Sequence, residues 1–261
     1  MARLIAAALL LGALTANAAA SPENSPTTAA SPTPPSSTEP VSPERLRLAT
    51  RLLDLVHPDQ VSIDANMRGW ESGMRKMLAA DPTFARLESD YPGISEAAVD
   101  GARPVALEFS REFVRNVKAL KADVFAQRLT AAELQQAIAF FDTPVGQKFA
   151  KGMAETADPA AVLDNVRVRA AAGGEDLTLT DLTSATRKTS RQVMSGMSSA
   201  EVLQIMRFES LPAARKFAAA GQESEALVLV KLKNVDPKWL ERQQQAVAQA
   251  ALRFAELKAR K

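Results

Sequence analysis

Residues 129–150 and 197–218 carry one pattern twice. The first copy reads LTAAELQQAIAFFDTPVGQKFA and the second MSSAEVLQIMRFESLPAARKFA. Aligned without gaps, they match at Ala132/Ala200, Glu133/Glu201, Gln136/Gln204, Phe140/Phe208, Pro144/Pro212, Lys148/Lys216, Phe149/Phe217 and Ala150/Ala218. A chain that repeats a unit must build one substructure twice, so the nature of the unit constrains much of the fold.

The unit reads as a helical hairpin. Thr130 is placed to cap a helix, with Glu133 at the third helical position reaching back to it. Leu129 and Leu134 form the hydrophobic staple that accompanies such a box. The second copy repeats the arrangement with Ser198, Glu201, Met197 and Val202. Each first helix ends within about three turns, and Pro144 or Pro212 starts the next. Phe140 with Phe149, and Phe208 with Phe217, are expected to pack across the turn. Gly146 and Ala214 are small where the second helix must approach closely. The repeated Glu133 and Glu201 admit a symmetric carboxylate pair, but two helix caps explain them more simply.

Other prolines mark helix starts in the same way. Ser42-Pro43, Asp81-Pro82, Thr143-Pro144, Asp158-Pro159 and Asp236-Pro237 each put a capping side chain before a proline. Helices are expected over about 43–56 and 59–79. Asp90-Tyr91-Pro92-Gly93 reads as a turn. Helical pattern resumes near Ser95, is interrupted at Pro104, and continues to about Arg128, with Phe113, Val117, Leu120 and Val124 along one face. Gly173-Gly174 separates a region at 44–172 from one at 177–261. Helices then read at 177–196, 199–209, 212–233 and 237–259. Ala226-Leu227-Val228-Leu229-Val230 also admits a strand, but its helical neighbours favour helix. Strong helix formers fill residues 44–261 and no hairpin-turn signal separates alternating runs. The expected fold is all-α, an antiparallel helical array or bundle with two related helical hairpins, after a signal peptide and a disordered linker.

The leader is the clearest functional signal. Met1-Ala2-Arg3 is a short positive start, Leu4 to Leu14 is apolar, and Ala16-Asn17-Ala18 puts small residues where signal peptidase reads them. Residues 1–20 are therefore read as a signal peptide, cleaved after Ala18 or Ala20. The apolar run is too short for a membrane span, which needs about 20 residues, although an uncleaved N-terminal anchor is the alternative. Residues 21–43, SPENSPTTAASPTPPSSTEPVSP, are Pro, Ser, Thr and Ala at almost every position. They cannot bury enough apolar surface to offset ordering, and read as a disordered spacer. The chain has no cysteine, which excludes disulfides, thiol chemistry and a lipid-modified cysteine.

Charge excludes a further class. Lys+Arg is 32 and Asp+Glu is 30, and loss of Arg3 with the leader leaves about +1. This is no footprint for nucleic acid. His57 is the lone histidine. It sits at a helix end before Pro58, where an imidazole can meet terminal carbonyls. A Ser-His-Asp set around it has no accompanying nucleophile motif. Metal ligands, an Asp/Asn calcium loop and a phosphate loop are not visible, so neither cofactor nor metal is expected. Met67, Met74 and Met77 lie at helical spacing near Trp70. They read as a core stripe, with a copper site or a ligand groove as the functional alternatives. Arg253, Lys258, Arg260 and Lys261, with only Glu256 against them, read as a solvated helix end rather than a lipid-binding patch.

Leu129-Thr130-Ala131-Ala132-Glu133, followed by Phe140-Phe141-Asp142-Thr143-Pro144-Val145-Gly146-Gln147-Lys148, resembles the signature of a bacterial exported family catalogued as domain of unknown function number 2059. In that family a Leu-Thr-x-x-Glu start leads to an aromatic pair, a Ser/Thr-Pro step, a glycine and a basic residue. Phe141 stands where Tyr is more usual. The second copy, with Glu209 and Ala214 in place of the aromatic and the glycine, is a diverged version. The resemblance implies an α-helical exported protein and no activity or catalytic residues. Three functions follow as expectations: a non-enzymatic periplasmic or secreted bacterial protein that binds or assembles with an envelope partner, a carrier of an apolar ligand or lipid between helices, and a hydrolase with an unlocated site. No catalytic, cofactor-binding or metal residues are assigned.

Overall fold

The computed structural model describes residues 41–157, 161, 162, 165, 166, 168, 169, 173 and 177–260. The segment read as a signal peptide, residues 21–40 of the linker, Asp158-Pro159, Gly174 and Lys261 lie outside the described residues. Among the described residues every regular element is an α-helix. They are α1 Pro43–Val56, α2 Asp59–Ala80, α3 Pro82–Asp90, α4 Ile94–Arg128, α5 Ala131–Phe141, α6 Pro144–Thr156, α7 Leu179–Ser195, α8 Ser199–Glu209, α9 Pro212–Lys233 and α10 Pro237–Ala259. The fold is all-α.

The Pro-marked starts form for the reason their sequence suggests. Ser42 accepts from the Arg45 N–H at 3.2 Å, Asp81 from Thr83 at 2.7 Å and Phe84 at 3.2 Å, Thr143 from Gly146 at 3.0 Å, and Asp236 from Lys238 at 2.9 Å. Each satisfies donors that have no partner inside the helix. The stretch Ala226–Val230 is helical, within α9. The helix expected at 177–196 begins at Leu179 because Thr178 caps it. Thr178 accepts from the Asp181 N–H at 3.3 Å, and Asp181 accepts from the Thr178 N–H at 2.9 Å.

One expectation is corrected. Pro104 does not interrupt the helix; α4 runs unbroken from Ile94 to Arg128. Proline removes one backbone donor and crowds the preceding turn. Here tertiary contact overrides that cost, since α2 and α10 both pack along α4. The approach of α10 is close. A Cβ built on Gly101 would lie 2.2 Å from the Ala250 Cβ, so only a glycine allows the two backbones this separation.

Two buried clusters lie along α4. The first gathers Met67, Trp70, Met74, Ala98, Ala102, Phe113, Val117, Val228, Trp239 and Val247. The second gathers Leu52, Leu53, Phe125, Leu134, Phe141, Phe149, Phe208 and Phe217. Each draws on residues from both sides of Gly173. Leu120 packs against both. Burying one such side chain contributes about 1.5–3 kcal/mol, so both clusters are substantial.

The Gly101–Ala250 contact gives a testable consequence. Gly101→Ala should lower stability by about 1–3 kcal/mol, even though alanine is the better helix former by about 1 kcal/mol. Adding Ala250→Gly should recover part of the loss. A urea double-mutant cycle with zero coupling between the two sites would contradict the contact.

Candidate functional site

The two hairpins pack on each other, and they do so reciprocally. Lys148 of the first copy meets Glu201 of the second at 2.8 Å. Its counterpart Lys216 meets Glu133 at 2.6 Å. The rings of Phe140 and Phe208, equivalent in the alignment, stack 4.1 Å apart at 3°. The helix packing follows suit: α9 lies against α4, and α6 lies against α7. When residue i meets j and the counterpart of j meets the counterpart of i, the relation is an approximate two-fold axis. The chain thus pairs with itself as a symmetric dimer would. The phenylalanine pairing differs from expectation accordingly. Ring contacts join the copies, with Phe141 also 5.7 Å from both Phe208 and Phe217. Phe149 is buried in the same cluster.

The repeated carboxylates are caps. Both boxes are complete, with Thr130 and Ser198 each accepting from the N–H of their glutamate and each glutamate accepting from the cap N–H. Burial raises Glu133, but the Lys216 ammonium and the Thr130 hydrogen bonds outweigh it and hold the carboxyl below its usual range. The Lys148 ammonium, with the Ser198 hydrogen bonds, holds Glu201 down to about 2. Carboxylates fixed in this way stay ionised at neutral pH and are poor proton donors.

Gly146 belongs to this junction. A Cβ there would lie 2.2 Å from the Phe140 carbonyl oxygen and 2.7 Å from the Phe141 Cα. The second copy accepts Ala214 at the same place, fully buried. Its turn differs, because Leu211 replaces Thr143 and supplies no side-chain cap.

The two-fold relation breaks at one place. Helix α1 lies on α4, α5 and α6. Its Leu48, Leu52, Leu53 and Val56 share the buried cluster with Leu134, Ile138 and Phe141 of the first hairpin, and Arg51 meets Asp142 at 2.8 Å. Among the described residues, no helix lies on α8 in the corresponding way. Ile138 is 6% exposed, whereas its counterpart Met206 is 55% exposed. Leu203 beside it is 54% exposed, and Leu211 is exposed as well. Asp142 is replaced by Ser210, and Arg207 and Arg215 stand exposed near the same face.

The methionine stripe divides between core and cavity. Met67 and Met74 are buried with Trp70. Met74 and Met77 also line a cavity of about 300 Å3 between α2, α3 and α10. Gln243 of α10 lines it too, is 2% exposed, and has no hydrogen-bond partner for either amide atom. An unpartnered buried polar group costs about 1–3 kcal/mol. Sequence reasoning missed Gln243, which stands in the run Gln243-Gln244-Gln245 with nothing to mark the inward one.

His57 does not face the terminal carbonyls of α1. Its backbone N–H donates to Leu53, while its ring Nε2 lies 3.4 Å from Lys121 Nζ. Burial, then the neighbouring Lys121 and Lys118, push the imidazole well below its usual value. Burial also pulls the almost fully buried Lys121 down to about 8, against the attraction of Glu225. The space beside them holds only about 10 Å3, one water at most, so no substrate fits there. At the far end of α10, Lys258 sits 5.3 Å over the Phe254 ring, and Leu252 and Leu257 are exposed. Among the described residues, no His/Asp/Glu cluster could hold a metal, and no helix is long and apolar enough to cross a membrane.

Residues 116–169 match the model of a family described as an uncharacterized protein conserved in bacteria, domain of unknown function 2059. This is the family that the Leu129–Lys148 motif resembles. The matched span covers the end of α4 with α5 and α6, and stops before the second hairpin. No curated protein and no solved structure gives a significant match to the chain.

Two outcomes follow from this geometry. Thr130→Ala should cost about 1 kcal/mol, and an unchanged denaturation midpoint would contradict the cap. Lys121 carries a folded value of about 8 against 10.5 for the free group. Between those values the unfolded chain holds a proton that the folded chain has released, so stability rises with pH. Comparing melting temperatures at pH 8 and pH 10, Lys121→Met should flatten this rise; a parallel rise in the variant would assign the slope to other groups.

Proposed function

We propose that this chain is an exported, non-enzymatic binding protein of the bacterial envelope, and that it holds an acidic amphipathic helix of a partner protein on the open face of α8. The observation that carries this reading is the broken two-fold relation between the hairpins. The first hairpin presents an apolar face that α1 covers. The second leaves part of its counterpart open, with Met206 at 55% exposure where Ile138 is at 6%, Val202 half-buried where Leu134 is buried, and Glu209 in place of Phe141. Exposed apolar side chains gathered on one helix are a feature of interaction sites.

Helix α1 indicates what such a face accepts. It is a 14-residue amphipathic helix with Leu48, Leu52, Leu53 and Val56 buried, the anchor spacing by which helices lie in grooves. The charges at the rim differ in the second copy, where Ser210 replaces Asp142, Arg207 and Arg215 replace Ala139 and Gln147, and Glu209 replaces Phe141. Where α1 sets Arg51 against Asp142, a helix on α8 would meet Arg207 and Arg215, so acidic side chains suit that position. Export is supported by the leader pattern of residues 1–20, and the Pro/Ser/Thr-rich segment behind it would give the helical part reach. The non-enzymatic part is supported by the fate of the carboxylates and His57. The former are held in caps and ion pairs, and the latter faces a space too small for a substrate.

A photo-reactive amino acid at position 206 of the full chain, expressed in cells, tests this reading. The expected adduct is a peptide of another protein, amphipathic in helical projection and acidic on one edge. Its yield should fall when Arg207 and Arg215 are both changed to Glu. The same probe at Gln135, an exposed first-copy position, should give no such adduct. Adducts only between two copies of this chain, or equal labelling from positions 206 and 135, would overturn the assignment.

A further inference from the structure

The cavity between α2, α3 and α10 is a second site, independent of the α8 face. We infer that it binds a small uncharged amphiphile, with an apolar body against the methionines and an amide or hydroxyl group at Gln243. Three observations lead there. The walls come from Met74, Met77, Leu78 and Phe84 on one side and from Leu240 and Val247 on the other. The volume, about 300 Å3, falls at the lower end of the range for small-molecule pockets. Methionine walls adapt to the shape of an apolar guest.

The second observation is the Gln243 amide. It lines the cavity, is 98% removed from solvent by its 2% exposure, and both its nitrogen and its oxygen lack a partner. A carboxamide offers donors and an acceptor at one point, so the group that satisfies it must itself both donate and accept. An amide and an alcohol do so; a hydrocarbon does neither, and a carboxylate only accepts.

The third observation concerns charge. Among the described residues no lysine or arginine lines the cavity, and the one ionisable group that does is Asp81. Its carboxylate accepts from the Thr83 and Phe84 N–H groups at the start of α3. An anionic ligand would lack a counter-charge and meet repulsion, which selects an uncharged ligand over a fatty acid anion.

The test uses the full chain with N-phenyl-1-naphthylamine, an uncharged apolar fluorophore carrying one N–H. Its fluorescence should rise on binding, and Ala248→Trp, which fills the exposed rim of the cavity, should abolish the rise. Decanamide should displace the probe at about a tenfold lower concentration than decanoate at neutral pH. Gln243→Leu should keep the helical circular dichroism and the probe signal but raise the decanamide concentration needed for displacement about fivefold, narrowing the preference over decanoate without removing it, since Asp81 remains. A probe signal unaffected by Ala248→Trp, equal displacement by the two competitors, or decanamide displacement unchanged by Gln243→Leu would each overturn the assignment. These outcomes do not depend on position 206, so failure here leaves the α8 reading intact.

Discussion

The pairing of the two hairpins through their phenylalanines organises the second half of the molecule. Phe140 and Phe208 stack face to face, and Phe125, Phe141 and Phe217 close around them. Rings in this arrangement contribute about 0.5–1.5 kcal/mol per pair beyond the area they bury. They also fix direction. The stack lies across the two-fold relation, so each hairpin receives from its partner what a single hairpin lacks. The crossed ion pairs Lys148–Glu201 and Lys216–Glu133 are partly exposed and add little energy. They do add register, because a slipped pairing would leave both glutamate caps without a cation. The duplication therefore serves stability directly: two copies of a unit too small to bury its own face bury each other's.

Local signals in the sequence carried the helix boundaries well. Prolines after capping side chains set the starts of α1, α3, α6 and α10, and the capping boxes set α5 and α8. These depend on contacts within a few residues, which a sequence displays. Pro104 was misleading for the opposite reason. What keeps α4 continuous is packing along its sides, and the matching Gly101–Ala250 approach joins positions far apart in the chain. The repeat was also legible, but not that its copies would face one another. An alignment shows which residues correspond; the assembled core alone shows that Lys148 and Glu201 meet. His57 illustrates the same limit. Its place at the end of α1 was plain, but the orientation of its ring toward Lys121 depends on α4 lying alongside.

The candidate sites were the least visible. The methionine stripe was noticed, and its division between core and cavity depends on where α10 lies across the cavity from α2. Gln243 is one of three consecutive glutamines, and the rotation of α10 alone selects which is buried. On α8, nothing in the sequence marks Leu203 and Met206 as exposed. Only the comparison with α5, where α1 covers Ile138, makes the exposure of Met206 meaningful. The family match ends before this helix, so the open face belongs to the part of the chain that the family model does not describe.

Helix α4 is 35 residues long, a rod of about 50 Å at 1.5 Å per residue. Its N-terminal two-thirds lie in the cluster beside α10, and its last turns lie in the phenylalanine cluster. Leu120 touches both. A shared rod of this kind ties the melting of one cluster to the melting of the other, because unwinding either end removes a wall from its neighbour. Among the described residues there are two hydrophobic centres with one beam between them, and the thermal transition should accordingly be single, with backbone amides at the two ends of α4 opening together rather than in sequence.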